Sequence, residues 1–269
     1  YRMVETRPFA LITGASAGMG AAFARTLAAE GYDVGLVARR ANRLEVLAAE
    51  LRAEHGCAAL VVPSDLSAPD AHLAVIAQLL GRPIDILINN AGFSIAQRYA
   101  ETDWTAQRDS VMTLVMAVCG LTHAVLPDML ARRRGRIITI SSILALSQGG
   151  VGHTLYPAEK AFVHTFMISL AAELRGTGVH VTSVLPGSTM SEFQTANGTA
   201  DAMAMMPQAL LSTSQQVVDA ALKASARGQL IVIPGWHNKL LAVVFKIMPD
   251  SVIRWASANA TAKFKGAPK

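Results

Sequence analysis

The sequence predicts an α/β fold: a single doubly wound parallel sheet with helices on both faces. Three observations carry the prediction. Short apolar runs alternate with longer stretches of helical periodicity from Phe9 to Ile233. The first apolar run passes through a glycine-rich turn straight into a helical stretch. The chain has 269 residues, of which 52% are hydrophobic, enough for one large domain with a well-buried core.

Taken in order, Phe9–Thr13 is apolar and bounded by glycine, so it reads as a strand. Gly18–Glu30 puts Phe23 and Leu27 on one helical face. Asp33–Ala38 reads as a strand and Asn42–His55 as a helix; Ala58–Val62 and Ala71–Leu80 repeat the pair. Ile84–Asn89 is the fourth strand, followed by a long helical region from Glu101 to Arg132. Arg136–Ser141 is a strand, Tyr156–Arg175 a helix, Val179–Leu185 a strand, and Ser214–Ala226 with Leu230–Ile233 closes the alternation. Right-handed crossovers then gather the C-terminal ends of the strands along one edge, where ligands bind in such sheets. Residues 1–235 are expected to form the main domain, with a lid over about 189–212, and residues 236–269 a helical extension of it.

Composition narrows the functional classes. Only 16% of residues are charged, against roughly 25% in an ordinary globular chain. Surface is therefore expected to be buried between subunits, or to meet lipid or an apolar substrate. Ser110 to Pro127 carries no formal charge, but Thr113, Gly120, Thr122 and His123 make it a poor membrane span. Lying between two strands of one sheet, it reads as a helix buried in an interface. The net charge of +5 is concentrated in Arg39, Arg40 and Arg43, in Arg132, Arg133, Arg134 and Arg136, and in Lys263, Lys265 and Lys269. The second cluster reads as a solvated turn before a strand. No aromatic residues interleave with it, so no nucleic-acid partner is expected. Cys57 and Cys119 sit in apolar surroundings and read as reduced thiols. No metal site is expected, because the histidines are scattered and no CxxC or HExxH pattern occurs. The first apolar run is too short for a signal peptide, so the expected location is cytoplasmic, with membrane association an additional option.

Two motifs carry chemistry. Tyr156 and Lys160 are four residues apart in Tyr-Pro-Ala-Glu-Lys, which on a helix places phenol and ammonium on one face. A neighbouring cation favours the phenolate, which would make a tyrosine a usable acid–base group. The turn Thr13-Gly14-Ala15-Ser16-Ala17-Gly18-Met19-Gly20 joins the first strand to the first helix. Its glycines let a pyrophosphate approach the backbone, and the helix N-terminus beyond offers free amides. The second strand ends at Ala38-Arg39-Arg40, where sites that prefer NAD usually carry an acid. A guanidinium suits a 2′-phosphate, so NADPH is expected over NADH, with Arg39 as the main contact and Arg40 or Arg43 as further candidates.

With these residues the chain resembles the short-chain dehydrogenase/reductase family, whose fold is Rossmann-type. The match also takes in Asp65-Leu66, Asn89-Asn90-Ala91-Gly92, Ser141-Ser142 and Pro186-Gly187-Ser188-Thr189, in the expected order. The resemblance implies that Gly14, Ser16, Ala17, Gly18, Met19 and Gly20 cradle the dinucleotide. It places Asp65 and Leu66 at the adenine, Asn90, Ala91 and Gly92 under the adenine ribose, and Asn89 as a brace of the sheet. Pro186, Gly187, Thr189 and Ser191 would line the nicotinamide. Ser142 would hydrogen-bond the substrate oxygen, Tyr156 would exchange the proton, and Lys160 would lower the tyrosine pKa and bind the nicotinamide ribose. A hydroxyl pair aimed at the carbonyl oxygen stabilises charge where it develops, and the cofactor supplies the hydride.

Two positions depart from the family pattern. The family usually has an asparagine on the long helix that helps hold a proton-relaying water, and Leu114 stands there. Glu159 replaces the usual small residue before the lysine and is expected to point off the Tyr156/Lys160 face, toward a surface arginine. The lid stretch contains Phe193, Met203, Met205, Met206, Leu210 and Leu211, which suggests a hydrophobic ketone or secondary alcohol as substrate. The expected function is therefore an NADP(H)-dependent oxidoreductase; the alternative is a catalytically weak dinucleotide-binding regulatory or structural protein. The family often dimerises through the long helix and the Tyr156 helix, so a homodimer or homotetramer is expected. The stretch Lys239–Met248 is amphipathic and basic enough to touch a membrane surface.

Overall fold

The structure, a computed structural model, describes residues 7–147, 149, 154–190, 210–247, 249 and 252. Seven strands form one parallel sheet: β1 (Phe9–Thr13), β2 (Asp33–Ala38), β3 (Ala59–Pro63), β4 (Ile86–Asn89), β5 (Gly135–Ile140), β6 (Val179–Val184) and β9 (Ile231–Val232). Their spatial order is β3-β2-β1-β4-β5-β6-β9. The chain runs outward from β1 to β3 and then returns to β4 on the other side of β1. The order therefore reverses between β1 and β4, and a crevice opens beyond their C-terminal ends.

Strands β1, β2 and β4 are buried on both faces, because helices cover both. Ala10 and Ile12 of β1, with Val34, Leu36, Ile86, Ile88 and Ile138, pack against α1 (Gly18–Ala29), α2 (Ala41–His55) and α7 (Ser214–Ala226). The alternate residues Phe9 and Leu11, with Val37, Val62, Leu87 and Ile137, pack against α3 (Ala71–Gln78), α5 (Ala117–Ala131) and α6 (Leu155–Glu173). Period-two alternation thus separates two cores rather than a core and a wet face.

The long helical region is not one regular helix. A 3₁₀ turn (Tyr99–Glu101) precedes α4 (Trp104–Val111), whose first turn is capped by Asp103 accepting the Thr105 N–H at 3.0 Å. A π turn (Met112–Met116) then leads into α5. The uncharged stretch is half core: Leu114, Leu121 and Val125 are buried, while Met116 is exposed. Two short strands, β7 (Thr189–Met190) and β8 (Ser212–Thr213), pair in parallel. The ends of the stretch read as a lid are thereby held side by side, while residues 191–209 of it, Ser191 and the methionines included, lie outside the described residues. Helix α8 (Trp236–Ile247) packs against the 3₁₀ turn Ile143–Leu146 and exposes Trp236, Leu240, Val243 and Ile247.

The second arginine cluster is not a freely solvated turn. Arg132 and Arg134 both donate to Asp85 Oδ1, at 2.9 and 2.7 Å, and the other Asp85 oxygen accepts the Phe9 N–H at 2.9 Å. Arg133 donates to Gly176 O at 3.1 Å and Arg136 to Tyr32 Oη at 2.8 Å. Burial works against the Asp85 charge, but the Phe9 amide and the two guanidiniums outweigh it and hold the carboxyl below its ordinary range. Asp85→Ala should therefore cost about 1–3 kcal/mol in urea unfolding at neutral pH, since it leaves the buried Phe9 amide without its acceptor and removes the carboxylate that Arg132 and Arg134 share. The folded-state pKa is depressed, so this contribution is present above the unfolded value of about 3.9. It is lost as pH falls through the lower folded value. The difference between wild type and variant should shrink over that acid window.

Candidate active site

The glycine turn is built by close backbone approach. Gly14 and Gly18 take positive φ, 69° and 53°. A Cβ on Gly20 would stand 2.1 Å from Gly14 O, and one on Gly14 would stand 2.8 Å from Ala91 Cα. Thr13 stitches the turn to the end of β4. Its hydroxyl donates to Ile88 O at 3.1 Å and accepts the amides of Asn90 and Ala91 at 2.9 and 3.0 Å. Asn90 Nδ2 donates back to Thr13 O at 2.9 Å. Helix α1 has Ala17 at its N-cap, with no side-chain cap and no acid in its first turn. Its leading amides and positive dipole end therefore face the crevice, in a cradle that any side chain would fill. That cradle fits a pyrophosphate, and it brings Gly14 and Gly20 together with Asn90 and Ala91. Asn89 lies below it, donating to Thr122 Oγ1 and Thr139 Oγ1 at 3.3 and 3.4 Å.

At the far end of the crevice Leu66 is buried, and Asp65 accepts the amide and hydroxyl of Ser67 at 3.0 and 2.8 Å. Burial opposes the Asp65 charge, yet the Ser67 bonds and the nearby Arg39 hold it below its ordinary range. Arg39 is exposed beside this carboxylate. Arg40, expected only as a secondary contact, reaches the glycine turn itself: its guanidinium bonds Ser16 Oγ at 2.9 and 3.3 Å.

Ser142, just past the end of β5, lies beside Tyr156 at the start of α6, where its hydroxyl draws the phenol pKa down. Ser142 Oγ also accepts the Leu144 amide at 3.2 Å, which caps the 3₁₀ turn and fixes the serine. Lys160, one turn along α6, is buried with its Nζ 5.7 Å from the Tyr156 ring centre. Its ammonium donates to Ile140 O at 2.7 Å. The main chain is fixed as well, with Ser141 Oγ donating to Lys160 O at 2.7 Å.

The electrostatics differ from the expectation that Lys160 lowers the tyrosine pKa. Burial pushes the Tyr156 phenol up to about 12; the bond with Ser142 pulls it down, and Glu159 pushes it up. Burial pulls the Lys160 ammonium down to about 8, with Glu159 opposing. Lys160 is directed onto the main chain of β5, and desolvation of both groups dominates.

Glu159 does not point outward to a surface arginine. It is 4% exposed, and its Oε2 accepts Ser110 Oγ–H from α4 at 3.1 Å. Its Oε1 has no hydrogen-bond partner among the described residues. Contact with α4 decides this, because that helix closes over the face of α6 between Tyr156 and Lys160. Leu114 is buried in the π turn, and a Cβ on Gly92 would meet its Cγ at 3.5 Å. The position where the family carries an amide is thus filled by hydrocarbon under the Asn90–Gly92 loop.

On the other side of the crevice, Pro186 O accepts the Ile143 amide at 2.9 Å and Thr189 Oγ1 donates to Gly187 O at 3.1 Å. A residue the sequence did not suggest holds this loop. Asn238 of α8 is 4% exposed and donates to Pro234 O at 2.7 Å. A Cβ on Gly187 would lie 2.0 Å from its Oδ1. Nothing in the spacing around Asn238 marks it, since its role depends on where α8 docks.

The reversed strand order, the glycine cradle at the switch point and the paired hydroxyls beside it define a dinucleotide-binding α/β oxidoreductase. The short chain dehydrogenase family matches residues 8–202, and the chain belongs to that family. An uncharacterized oxidoreductase of Myxococcus xanthus is 34% identical over 243 residues, which is 90% of this chain and 92% of that protein. A short-chain dehydrogenase from Sphingobium yanoikuyae, solved in complex with NADPH, is 31% identical with a TM-score of 0.81, covering 97% of this chain and 98% of that one. The bulky-bulky ketone specific alcohol dehydrogenase from Comamonas testosteroni is 32% identical with a TM-score of 0.76, over 96% and 98% of the two chains.

Proposed function

We propose that the chain transfers a hydride between NADP(H) and a hydrophobic ketone or secondary alcohol, with Tyr156 as the general acid and base. One observation carries the reading: the Ser142 and Tyr156 hydroxyls lie side by side where β5 ends and α6 begins, with the Lys160 ammonium 5.7 Å from the Tyr156 ring centre. The bound nicotinamide supplies the hydride. The chain's own residues do the rest. Ser142, oriented by the Leu144 amide, would hold the substrate oxygen, and Tyr156 would give its proton to that oxygen as charge develops. Gly14, Ser16, Ala17, Gly18, Met19 and Gly20 would hold the pyrophosphate, with Asp65, Leu66 and the Asn90–Gly92 loop toward the adenine. Pro186, Gly187, Thr189, Ser191 and Lys160 would lie at the nicotinamide end. The NADPH-bound relative and the ketone-specific relative support the cofactor and the substrate class. Residues 1–235 would act as the catalytic unit, 189–212 as its lid and 236–269 as an extension, with assembly into a dimer or tetramer. The exposed face of α8 is the pattern that suggested a membrane surface, and the relatives lend it no support.

The test is NADPH consumption against a panel of apolar ketones, with NADH as comparison. Turnover with NADPH is expected. Arg39→Ala and Arg40→Ala should each weaken NADPH by about 10- to 100-fold, the range of one charge-assisted hydrogen bond, and leave NADH nearly unchanged. Equal losses for both cofactors would refute a 2′-phosphate role. Cofactor binding without turnover on any ketone would favour the regulatory alternative.

A further inference from the structure

Two loops leave the sheet side by side at its far edge. β6 runs out through Leu185 into Pro186-Gly187, and its neighbour β9 runs out through Ile233 into Pro234-Gly235. The strands pair Ser183 with Ile231 and Val184 with Val232, and the Leu185 amide adds a bond to Val232 O at 2.9 Å. Beyond that bond the first loop has few means of holding itself. Pro186 has no N–H to donate, and Gly187 has no side chain to pack. From outside the loop, Pro186 O accepts the Ile143 amide at 2.9 Å and Ser188 O accepts the Ser212 amide at 3.0 Å.

Gly187, between them, lies against Asn238. The three atoms nearest to where a Gly187 Cβ would stand are Asn238 Oδ1, Cγ and Nδ2, at 2.0, 2.6 and 2.8 Å. Gly187 does not take a positive φ, so the amide, not the backbone conformation, excludes a side chain there. Asn238 is 4% exposed in the first turn of α8, and its Nδ2 donates to Pro234 O at 2.7 Å. One buried amide thus joins the loop after β6 to the loop after β9. The same helix packs on the 3₁₀ turn Ile143–Leu146, which Ser142 caps. A buried amide costs folding free energy that an alanine would not, unless its bond and its packing offset it.

We propose that Asn238 is a positioning residue for the nicotinamide: it clips the Pro186–Gly187 loop to α8 and so fixes the wall against which the ring lies. The proposal rests on the reading that Pro186, Gly187 and Thr189 lie at the nicotinamide end of the crevice. It makes α8 a working part of the catalytic unit rather than an appendage to it. Hydride transfer is sensitive to such a wall, since a misplacement of about 1 Å costs on the order of 100-fold in rate.

The experiment uses the full chain with Asn238→Ala, Gly187→Ala and the two together. The ligands are NADPH and 2′-phospho-ADP-ribose, the same dinucleotide without its nicotinamide. Asn238→Ala should lower kcat for ketone reduction at saturating NADPH by about 10- to 100-fold. It should also remove most of the fluorescence enhancement of bound NADPH, a signal of the reduced nicotinamide itself. Affinity for 2′-phospho-ADP-ribose should stay within about twofold, or about 0.4 kcal/mol. General damage to the fold would weaken both ligands together. Gly187→Ala drives a Cβ into the amide and should show the same losses. Adding Asn238→Ala to it removes the three clashing atoms, so the double variant should exceed Gly187→Ala in fluorescence and in kcat. That reversal is the signature of direct contact between the two positions. If Asn238→Ala folds poorly, Asn238→Ser, smaller and still polar, takes its place. Unchanged NADPH fluorescence and kcat in the Asn238 variants overturn the proposal, as does an equal loss of affinity for both ligands. A wild type that reduces no ketone, with NADPH fluorescence still dependent on Asn238, would instead overturn the oxidoreductase reading and leave the positioning role standing.

Discussion

Tyr156→Phe is expected to lower kcat for ketone reduction by about 10²- to 10⁴-fold, the usual contribution of a positioned acid. The phenyl ring keeps its place on α6, and only the hydroxyl beside Ser142 is lost. Cofactor affinity, read from quenching of protein fluorescence by NADPH, should therefore stay within about twofold of wild type. Retained turnover in the variant would sink the mechanism. The pH profile adds a second check. With the phenol pushed up to about 12, it stays protonated across the working range. With the ammonium pulled down to about 8, Lys160 loses its charge as pH rises through that value. Reduction should fall off near pH 8 in the wild type, and Lys160→Met should remove that limb while lowering the rate throughout.

The parts of the site legible in the sequence are those fixed by local chain geometry. Gly14, Gly18 and Gly20 declare a tight strand-to-helix turn, and Tyr156 with Lys160 declares one helical face. Alternation of apolar runs and amphipathic stretches located every strand of the main sheet to within two residues of its ends. What stayed hidden depends on docking between distant segments. The π turn Met112–Met116 escaped because it differs from a regular helix by about one residue per turn, too little to alter apolar periodicity. Strands β7 and β8 have two residues each and no period at all. Arg132 and Arg134 look solvated until Asp85, 47 and 49 residues away, is placed beside them. Glu159 reads as a surface acid because its burial is decided by Ser110, 49 residues earlier.

Gly20→Ala should be more damaging to cofactor binding than a change to any residue that merely touches the cofactor. The added Cβ would stand 2.1 Å from Gly14 O and 2.7 Å from Asn90 Nδ2. The first of these is backbone, and it is fixed at both ends: Gly14 follows β1, and Asn90 donates to Thr13 O at 2.9 Å. Neither neighbour can turn aside as a flexible side chain would. Relief requires the start of α1 to lift away from the turn, which separates the helix amides from the cradle and loosens the bonds around Thr13. We expect NADPH affinity to fall by about 100-fold or more, near 2.7 kcal/mol, with a stability loss of about 1–3 kcal/mol from overpacking. Gly31→Ala is the control. That glycine has φ 90° with nothing within 4 Å of an added Cβ. It should lose about 1 kcal/mol of stability through backbone strain alone and bind NADPH as the wild type does. Paired isothermal titrations and unfolding curves on the two variants separate the effects. If Gly20→Ala lost stability but kept its affinity, the crevice at the glycine turn would not be where the dinucleotide is held.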